Sequence, residues 1–241
     1  MKKIDFLNGI MIAHRGYHNF NLKVAENSME AFKRAVMKGY CIELDVRLLK
    51  DMKMVVFHDN NLKRACKVNK LINDCTYDEI KKLKLFNTSS NIPLLEDVLK
   101  MVNGRVPIII ETKYYPKYGV LEKKLLNCLS NYKGKIAIQS FYPKSLFWFK
   151  KNAKNIPIGL LSSDFRRSNS SLKKLIGKTV LFDIFLKTDF ISFDINALPN
   201  SFIETKRKNK FILGWTVKSK KDYDKAIKYC DNVICDNIDY Y

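Results

Sequence analysis

The hydrophobic pattern of this chain is clearest between residues 41 and 47, where apolar and polar side chains alternate. Successive side chains of a β-strand point to opposite faces. One face would carry Ile42, Leu44 and Val46, and the other Cys41, Glu43, Asp45 and Arg47. Two carboxylates on one strand face repel each other and are costly to bury unpaired. We therefore expect a cation between them; by itself, the pattern equally fits a half-buried strand with a solvated polar face.

Other apolar runs predict strands that alternate with amphipathic helices. Besides 41–48, strands are predicted at 10–13, 106–111, 135–141, 157–162, 190–193, 211–217 and 232–236, with an extended continuation at 54–57. About eight strands with helices between most of them is typical of an α/β TIM (β/α)₈ barrel. The alternative, an open doubly wound sheet, would bring the ends of the first strands together less naturally.

Residues 1–241 are predicted to form a single barrel domain, because no linker-like run divides them. The chain stops soon after the last predicted strand, so the eighth helix is expected to be reduced or absent. Residues 60–92 are polar and irregular and are predicted to be a small insertion, with a capping box at Thr76–Glu79. Asn27 or Ser28 is the predicted N-cap of the first helix, Gly39 its stop, and Pro93 opens a later helix.

Polar side chains stand at the C-terminal ends of predicted strands, where barrel enzymes carry their chemistry. They are His14, Arg15, Glu43, Asp45, His58, Glu111 and Lys113. Three carboxylates make an oxygen-rich site for a hard divalent cation, Mg²⁺ or Ca²⁺. Two histidines are suited to general acid–base catalysis, and Arg15 and Lys113 to binding an anion such as phosphate. Together these residues predict cleavage of a phosphate ester.

Composition changes this picture little. The formal net charge is +20, but the lysines are dispersed and no nucleic-acid motif accompanies them, so we expect a solvated surface and no nucleic-acid partner. The six cysteines lack zinc-ligand spacing, and no apolar run is long enough for a signal core or a membrane span. We therefore expect a reduced, cytoplasmic protein. Phe147 and Trp148 either pack against a neighbouring helix, which we favour, or form a weak peripheral membrane contact.

Eight short motifs make the chain similar to the glycerophosphodiester phosphodiesterase family. They are H-R-G at 14–16, E-N-S at 26–28, E-L-D-V at 43–46, F-H-D at 57–59, I-P-L-L-E-D-V-L at 92–99, I-E-T-K at 110–113, Q-S-F at 139–141 and G-W-T-V at 214–217. They follow the family order over essentially the whole chain. Departures from the family pattern are Ala25 where Pro is usual, Ser28 where Thr is commoner, and Cys235 where Thr is common, without the usual Gly before the last strand.

The resemblance implies a TIM barrel that hydrolyses small glycerophosphodiesters to an alcohol and glycerol 3-phosphate. It implies roles for ten residues: Glu43, Asp45 and Glu111 as metal ligands, His14 and His58 as the acid–base pair, Arg15 and Lys113 on the phosphate, Trp215 in the substrate pocket, and Glu26 and Asn27 in support of the ligands. His18 is expected to be an ordinary loop residue. The alternatives are a lysophospholipase D of the same superfamily and a non-catalytic anion- or membrane-binding barrel. The headgroup, the metal and the oligomeric state stay open.

Overall fold

A closed ring of eight parallel strands forms the centre of the computed structural model, which describes residues 4–166 and 168–236. In chain order the strands are β1 Ile12–Ala13, β2 Cys41–Leu48, β3 Met54–Val56, β4 Ile108–Thr112, β5 Ile136–Ser140, β6 Ile158–Ser162, β7 Phe190–Asp194, β8 Phe211–Val217 and β9 Asn232–Cys235. β1 pairs with both β2 and β9, which closes the ring. The predicted TIM barrel is confirmed.

β3 lies outside the ring, antiparallel to β2, with Val56 opposite Val46. The extended continuation predicted at 54–57 is therefore a return strand that covers the edge of β2 and leads into His58.

Helices surround the ring. They are α1 Met29–Met37, α2 Lys63–Cys66, α3 Tyr77–Ile80, α4 Leu95–Val102, α5 Val120–Leu129, α6 Pro143–Asn152, α7 Ser171–Thr179, α8 Phe182–Leu186, α9 Ser201–Arg207 and α10 Lys220–Ala226. Ser28 caps α1, and its hydroxyl accepts from the backbone N–H of Ala31. α4 begins two residues after Pro93, because Leu94 keeps an extended backbone. The predicted loss of the eighth helix concerns residues 237–241, which lie outside the described part of the chain.

Two apolar layers pack against the strands, one outside the ring and one inside it. Ile42, Leu44 and Val46 point outward to the helices, as the alternation of β2 predicts. An inner layer fills the end of the ring opposite the carboxyl ends of the strands, with Cys41, Ile109, Ala137, Phe190, Leu213 and Ile234 among its members. Ile4 and Leu7, from the segment before β1, complete this layer and close the floor of the barrel.

The predicted insertion at 60–92 has its own small core. Leu62, Ala65, Ile72 and Ile80 are buried there, and they pack with Phe57 from the loop after β3. The capping box predicted at Thr76 and Glu79 is present at the start of α3. The insertion therefore rests on the barrel next to the strand end that carries His58. Among the described residues, no helix has the length and apolar character needed to cross a membrane.

Candidate active site

Three buried carboxylates converge at the carboxyl ends of β2 and β4. Asp45 and Glu111 are register partners on these neighbouring strands, and Glu43 lies two residues before Asp45 on the same face. Each offers an oxygen within 4.8 Å of the oxygens offered by the other two. The structure therefore brings together the three predicted metal ligands, and this all-oxygen set fits a hard divalent cation.

Two cations hold the carboxylates in place. The Lys113 ammonium lies 2.7 Å from Asp45 Oδ1 and also pairs with Glu111. The backbone N–H of Arg15 donates to Glu43 Oε2 at 3.1 Å, and Arg15 Nε lies 3.4 Å from Asp45 Oδ2. The cation expected between the carboxylates is present, but three buried acids face only two basic side chains here.

The imbalance appears in the pKa values. Burial, together with the charges of Asp45 and Glu111, raises the pKa of Glu43 well above its ordinary value. Burial would also raise the pKa of Asp45, but the charges of Lys113 and Arg15 outweigh it and hold that pKa low. Burial raises the pKa of Glu111 despite Lys113 beside it. An additional positive charge would stabilise all three carboxylates in the ionised form.

The two residues predicted to support the ligands do so in different ways. The Asn27 amide donates to Asp45 Oδ2 at 2.7 Å, so Asn27 contacts a candidate ligand directly. Glu26 instead accepts from Arg15 Nη1 at 2.7 Å and from Arg64 Nη2 at 2.6 Å. Glu26 thus lies outside the three-carboxylate cluster and positions Arg15.

A turn between β1 and α1 delivers Arg15 to the cluster. Arg15 and Gly16 both have positive φ, at 56° and 81°. A Cβ on Gly16 would lie 2.9 Å from both Ala31 Cβ and Phe32 Cδ1, so a larger residue would push the turn away from α1. The H-R-G sequence therefore has a glycine where both the backbone and the space require one.

His14 is tied to a residue that sequence reasoning missed. Its Nδ1 forms a short hydrogen bond with Asp236, directly after β9. His18, which we expected to be an ordinary loop residue, is buried, with Nε2 at 3.7 Å from the same Asp236 oxygen. Burial raises the pKa of Asp236, but the hydrogen bond with His14 and the proximity of His18 outweigh it and keep that pKa far below its usual range. Asp236 also follows a strand, so the positional rule used for the other site residues applies to it.

Burial and the charge of Arg15 lower the pKa of His14 in spite of Asp236. His14 is therefore neutral near pH 7. A carboxylate only accepts hydrogen bonds, so Nδ1 of the neutral ring carries the proton and Nε2 carries the free electron pair.

His58 lies at the end of β3 and is held from two sides. Its Nδ1 is 2.6 Å from Asp59 Oδ1, and Arg47 donates two hydrogen bonds to its carbonyl, at 3.0 and 2.7 Å. Arg64, from the insertion, donates to Asp59 Oδ2 at 2.6 Å. Arg64 also donates to Glu26, so its guanidinium links Asp59, the partner of His58, to Glu26, the partner of Arg15.

Gln139 is a further contact that the sequence reasoning did not assign. Its amide donates to Glu43 Oε1 at 3.1 Å, and Ser192 donates to its oxygen at 2.8 Å. This chain of hydrogen bonds, carried on β5 and β7, fixes the orientation of the Glu43 carboxylate.

Trp215 lies on β8 with its ring edge-to-face against Phe141, 5.5 Å between centroids. Its indole Nε1 is buried and has no hydrogen-bond partner among the residues that the structure describes. A buried donor without an acceptor is unfavourable, and a bound ligand would relieve it.

An open cleft of about 1770 Å³ adjoins the site. Its polar wall includes His58, Glu111 and Lys113. Its apolar lining includes Phe141, Leu160, Leu161, Phe165, Ile176 and Phe182. The site therefore opens into a space that can take an anionic group and an apolar group together.

Phe147 and Trp148 were predicted either to pack against a helix or to form a membrane contact, and Trp148 packs. Trp148 is partly buried, packs against the core and meets the Phe149 ring edge-to-face. It also covers Gly119, where a Cβ would lie 2.9 Å from its Nε1. Only Phe147 is exposed, at 41%.

The parallel barrel, the acidic cluster at its strand ends and the two carboxylate-bound histidines define the class as a (β/α)₈-barrel enzyme with a site for an anionic ester. The chain belongs to the glycerophosphoryl diester phosphodiesterase family, whose model matches residues 14–240.

Individual relatives agree with this family. A glycerophosphodiester phosphodiesterase from Caldanaerobacter subterraneus subsp. tengcongensis is 31% identical over 95% of this chain and 94% of that protein. The crystal structure of a glycerophosphodiester phosphodiesterase from Thermotoga maritima has a TM-score of 0.72 and 27% identity, and covers 94% of both chains. A lysophospholipase D from Rattus norvegicus is 36% identical over 55% of this chain and 44% of its own length.

Proposed function

We propose that this protein hydrolyses small glycerophosphodiesters to an alcohol and glycerol 3-phosphate in a metal-dependent reaction that uses His14 and His58. The single observation that carries the proposal is the convergence of Glu43, Asp45 and Glu111 within 4.8 Å at the strand ends. These three residues would hold Mg²⁺ or Ca²⁺. When bound, the cation would supply positive charge to the phosphoryl oxygens.

The basic residues would bind the phosphate. Arg15 and Lys113 both stay protonated: burial would lower their pKa values, but the surrounding carboxylates outweigh it and raise them. With a cation held by the carboxylates, the positive charges of Arg15 and Lys113 would be available to the substrate phosphate. Trp215, with its unpaired buried Nε1, would donate to an oxygen of the substrate.

The protonation state of His14 fits the role of general base. Neutral at pH 7, with Nδ1–H directed to Asp236, it has a free electron pair on Nε2 to accept the proton of the attacking oxygen. That oxygen belongs either to water or to the neighbouring glycerol hydroxyl, and His14 has the same role in both cases.

His58 takes the remaining role of general acid. It is the more exposed of the two histidines, with 34% of its side chain accessible, and it lines the cleft in which the leaving alcohol would lie. As the phosphorus–oxygen bond breaks, the departing alkoxide would take the proton of His58. Asp59 and Arg47 would keep the ring in position.

Substrates with different leaving groups test this assignment. We expect His14→Ala and His58→Ala each to lower turnover on the order of 10²-fold or more. A nitrophenolate leaves without protonation, so a nitrophenyl diester should restore turnover to the His58 variant and not to the His14 variant. Rescue of the His14 variant instead would reverse the roles. Near wild-type turnover in both variants would refute acid–base catalysis by these residues.

The metal site has a separate test. Glu43→Gln should abolish hydrolysis and divalent-cation binding measured by calorimetry, while the apo-protein unfolds at the same urea concentration as the wild type or a higher one, since the repulsion among the carboxylates is reduced. Glu122→Gln is the control, because Glu122 is also buried but lies on α5, outside the cluster. Full activity after exhaustive EDTA treatment would contradict metal dependence; readdition of Mg²⁺ or Ca²⁺ then identifies the preferred ion.

A lysophospholipid is the second candidate substrate, because the cleft next to the site has an apolar wall that could accept an acyl chain. Parallel assays of glycerophosphocholine and a lysophosphatidylcholine separate the two candidate substrates. Choline release is measured for both compounds, and glycerol 3-phosphate is measured for glycerophosphocholine. A non-catalytic barrel would show no turnover of either and would not need both histidines.

We also propose that residues 1–241 act as one domain with the insertion at 60–92, because the core of the insertion is continuous with Val55 and Phe57 at the barrel edge. Limited proteolysis should then yield no separately stable 60–92 fragment.

A cytoplasmic location is supported by the six free cysteines, which a reducing compartment would preserve. Cell fractionation would test this location.

A further inference from the structure

The segment between β6 and β7 exposes an unusual amount of apolar surface. Six large apolar side chains in residues 172–186 are exposed: Leu172, Leu175, Leu181, Phe182, Ile184 and Phe185. Leu172 and Phe185 are 66% and 64% accessible. No other stretch of this length among the described residues exposes as many. Apolar patches of this kind mark interaction surfaces.

The charged residues of the same segment have one sign on the surface. Lys173, Lys174, Lys178 and Lys187 are exposed. Its one acidic residue between 168 and 187, Asp183, is buried and is paired with Lys206 at 2.9 Å and Lys210 at 3.2 Å. The surface presented to the surroundings is therefore apolar and positively charged, without an exposed carboxylate.

This surface is continuous with the mouth of the candidate active site. Lys173, Ile176 and Phe182 line the same cleft as His58 and Glu111. On the neighbouring loops of the cleft, Tyr114 and Tyr142 are exposed and their rings lie 5.3 Å apart. Tyrosine is favoured at the boundary between water and lipid, because its ring is apolar and its hydroxyl is polar.

We propose that residues 168–187, the interfacial segment, bind the protein to the surface of an anionic lipid bilayer, so that the cleft opens toward the lipid headgroups. Exposed leucine and phenylalanine side chains would enter the headgroup region, and the lysines would lie against anionic lipids, each contributing by charge attraction. A second copy of the chain is the poorer occupant, since a two-fold contact would bring the lysines of one segment against those of the other. This surface lies on α7, α8 and their flanks, and it is not the one predicted at Phe147 and Trp148.

Sedimentation with vesicles tests the proposal. The wild type should pellet with vesicles of phosphatidylcholine and phosphatidylglycerol and remain in solution with phosphatidylcholine alone. Binding should fall strongly in about 1 M NaCl, where charges are screened beyond about 3 Å. Leu172→Ser with Leu175→Ser, and separately Ile184→Ser with Phe185→Ser, should each lower the partition coefficient about tenfold or more, since each removes two inserted side chains.

Matched variants separate this surface from general stickiness. Met37→Ser with Ile227→Ser removes two exposed apolar side chains elsewhere, at 84% and 45% accessibility, and should bind as the wild type. Lys174, Lys178 and Lys187 changed together to Gln should weaken binding, whereas the same change at the exposed Lys123, Lys221 and Lys228 should weaken it clearly less. All variants should keep kcat/KM for a soluble diester, and circular dichroism checks their folding.

The inference does not rest on the proposed reaction, because vesicle binding is measured without turnover. Equal pelleting with neutral and anionic vesicles would overturn it, and so would unchanged binding in both double-serine variants. A wild-type dimer in sedimentation velocity that the double-serine changes convert to a monomer, with no vesicle binding in either form, would assign the surface to self-association instead.

Discussion

The carboxylate of Glu26 holds Arg15, which approaches the acidic cluster. Replacement of Glu26 should therefore lower the free energy of unfolding by a measurable amount. Glu26 is 7% exposed and accepts hydrogen bonds from Arg15 and Arg64. Burial pushes its pKa up, but the hydrogen bond from Arg64 and the charges of both arginines outweigh it and lower the pKa from 4.5 to about 2. The perturbation is Glu26→Gln, which keeps the size and removes the charge.

The magnitude follows from the pKa. Each pKa unit corresponds to about 1.36 kcal/mol, so a change from 4.5 to about 2 gives about 3 kcal/mol. Because the folded-state pKa is the lower one, this stabilisation is fully present above pH 4.5 and is lost as the pH falls toward 2. Arg64 is 46% exposed, so solvent weakens that pair and the figure is an upper bound.

Urea unfolding at two pH values provides the assay. The free energy of unfolding of Glu26→Gln should be lower than that of the wild type by up to about 3 kcal/mol at pH 7 and by about 1 kcal/mol at pH 3. Glu30→Gln, an exposed glutamate on α1, is the control and should change stability by less than about 0.5 kcal/mol. If the difference between wild type and Glu26→Gln were the same at both pH values, the carboxylate charge would not be the cause and this reasoning would fail.

Two further predictions concern the neighbouring turn and the missed aspartate. Asp236→Asn should lower kcat on the order of 10²-fold with little change in KM, because His14 loses the carboxylate that fixes its tautomer. Lys218→Ala removes an exposed contact of the same carboxylate and should leave kcat nearly unchanged. A comparable loss of kcat in Lys218→Ala would contradict the tautomer argument. Gly16→Ala should lower the urea midpoint more than Gly39→Ala, since both have positive φ but only Gly16 lacks space for a Cβ; equal losses would leave backbone strain as the sole cause.

The alternation of β2 was sufficient to predict its bounds and its two faces, because one face packs in the apolar core while the other carries the charged side chains of the site. The half-buried alternative is excluded, since all eight residues are buried and Asp45 is paired with Lys113 and Arg15. Local signals also located the Ser28 cap and the capping box. These signals predicted that Pro93 opens α4, but the helix begins at Leu95. The Pro93 carbonyl instead accepts a hydrogen bond from the backbone N–H of Val56 on β3, a contact between distant parts of the chain.

Contacts between distant residues limited the prediction of the site. Asp236 meets His14 across 222 positions, and only closure of the ring between β1 and β9 brings them together. Arg64 reaches Glu26 through the folded insertion, whose polar sequence gave no periodic signal. The antiparallel return of β3 was likewise hidden, because a short apolar run does not reveal its partner or direction.

The closed floor of the barrel has a kinetic consequence. Ile4 and Leu7, together with the inner apolar layer, fill the end of the ring opposite the acidic cluster, so traffic of small polar molecules is confined to the cleft side. Among the described residues, the cleft is the opening next to the site, so substrate and both products would pass through it, and a phosphorylated product that lingers at the basic residues would exclude the next substrate. Such a product would act as a competitive inhibitor, and the rate of its departure would set an upper limit to turnover.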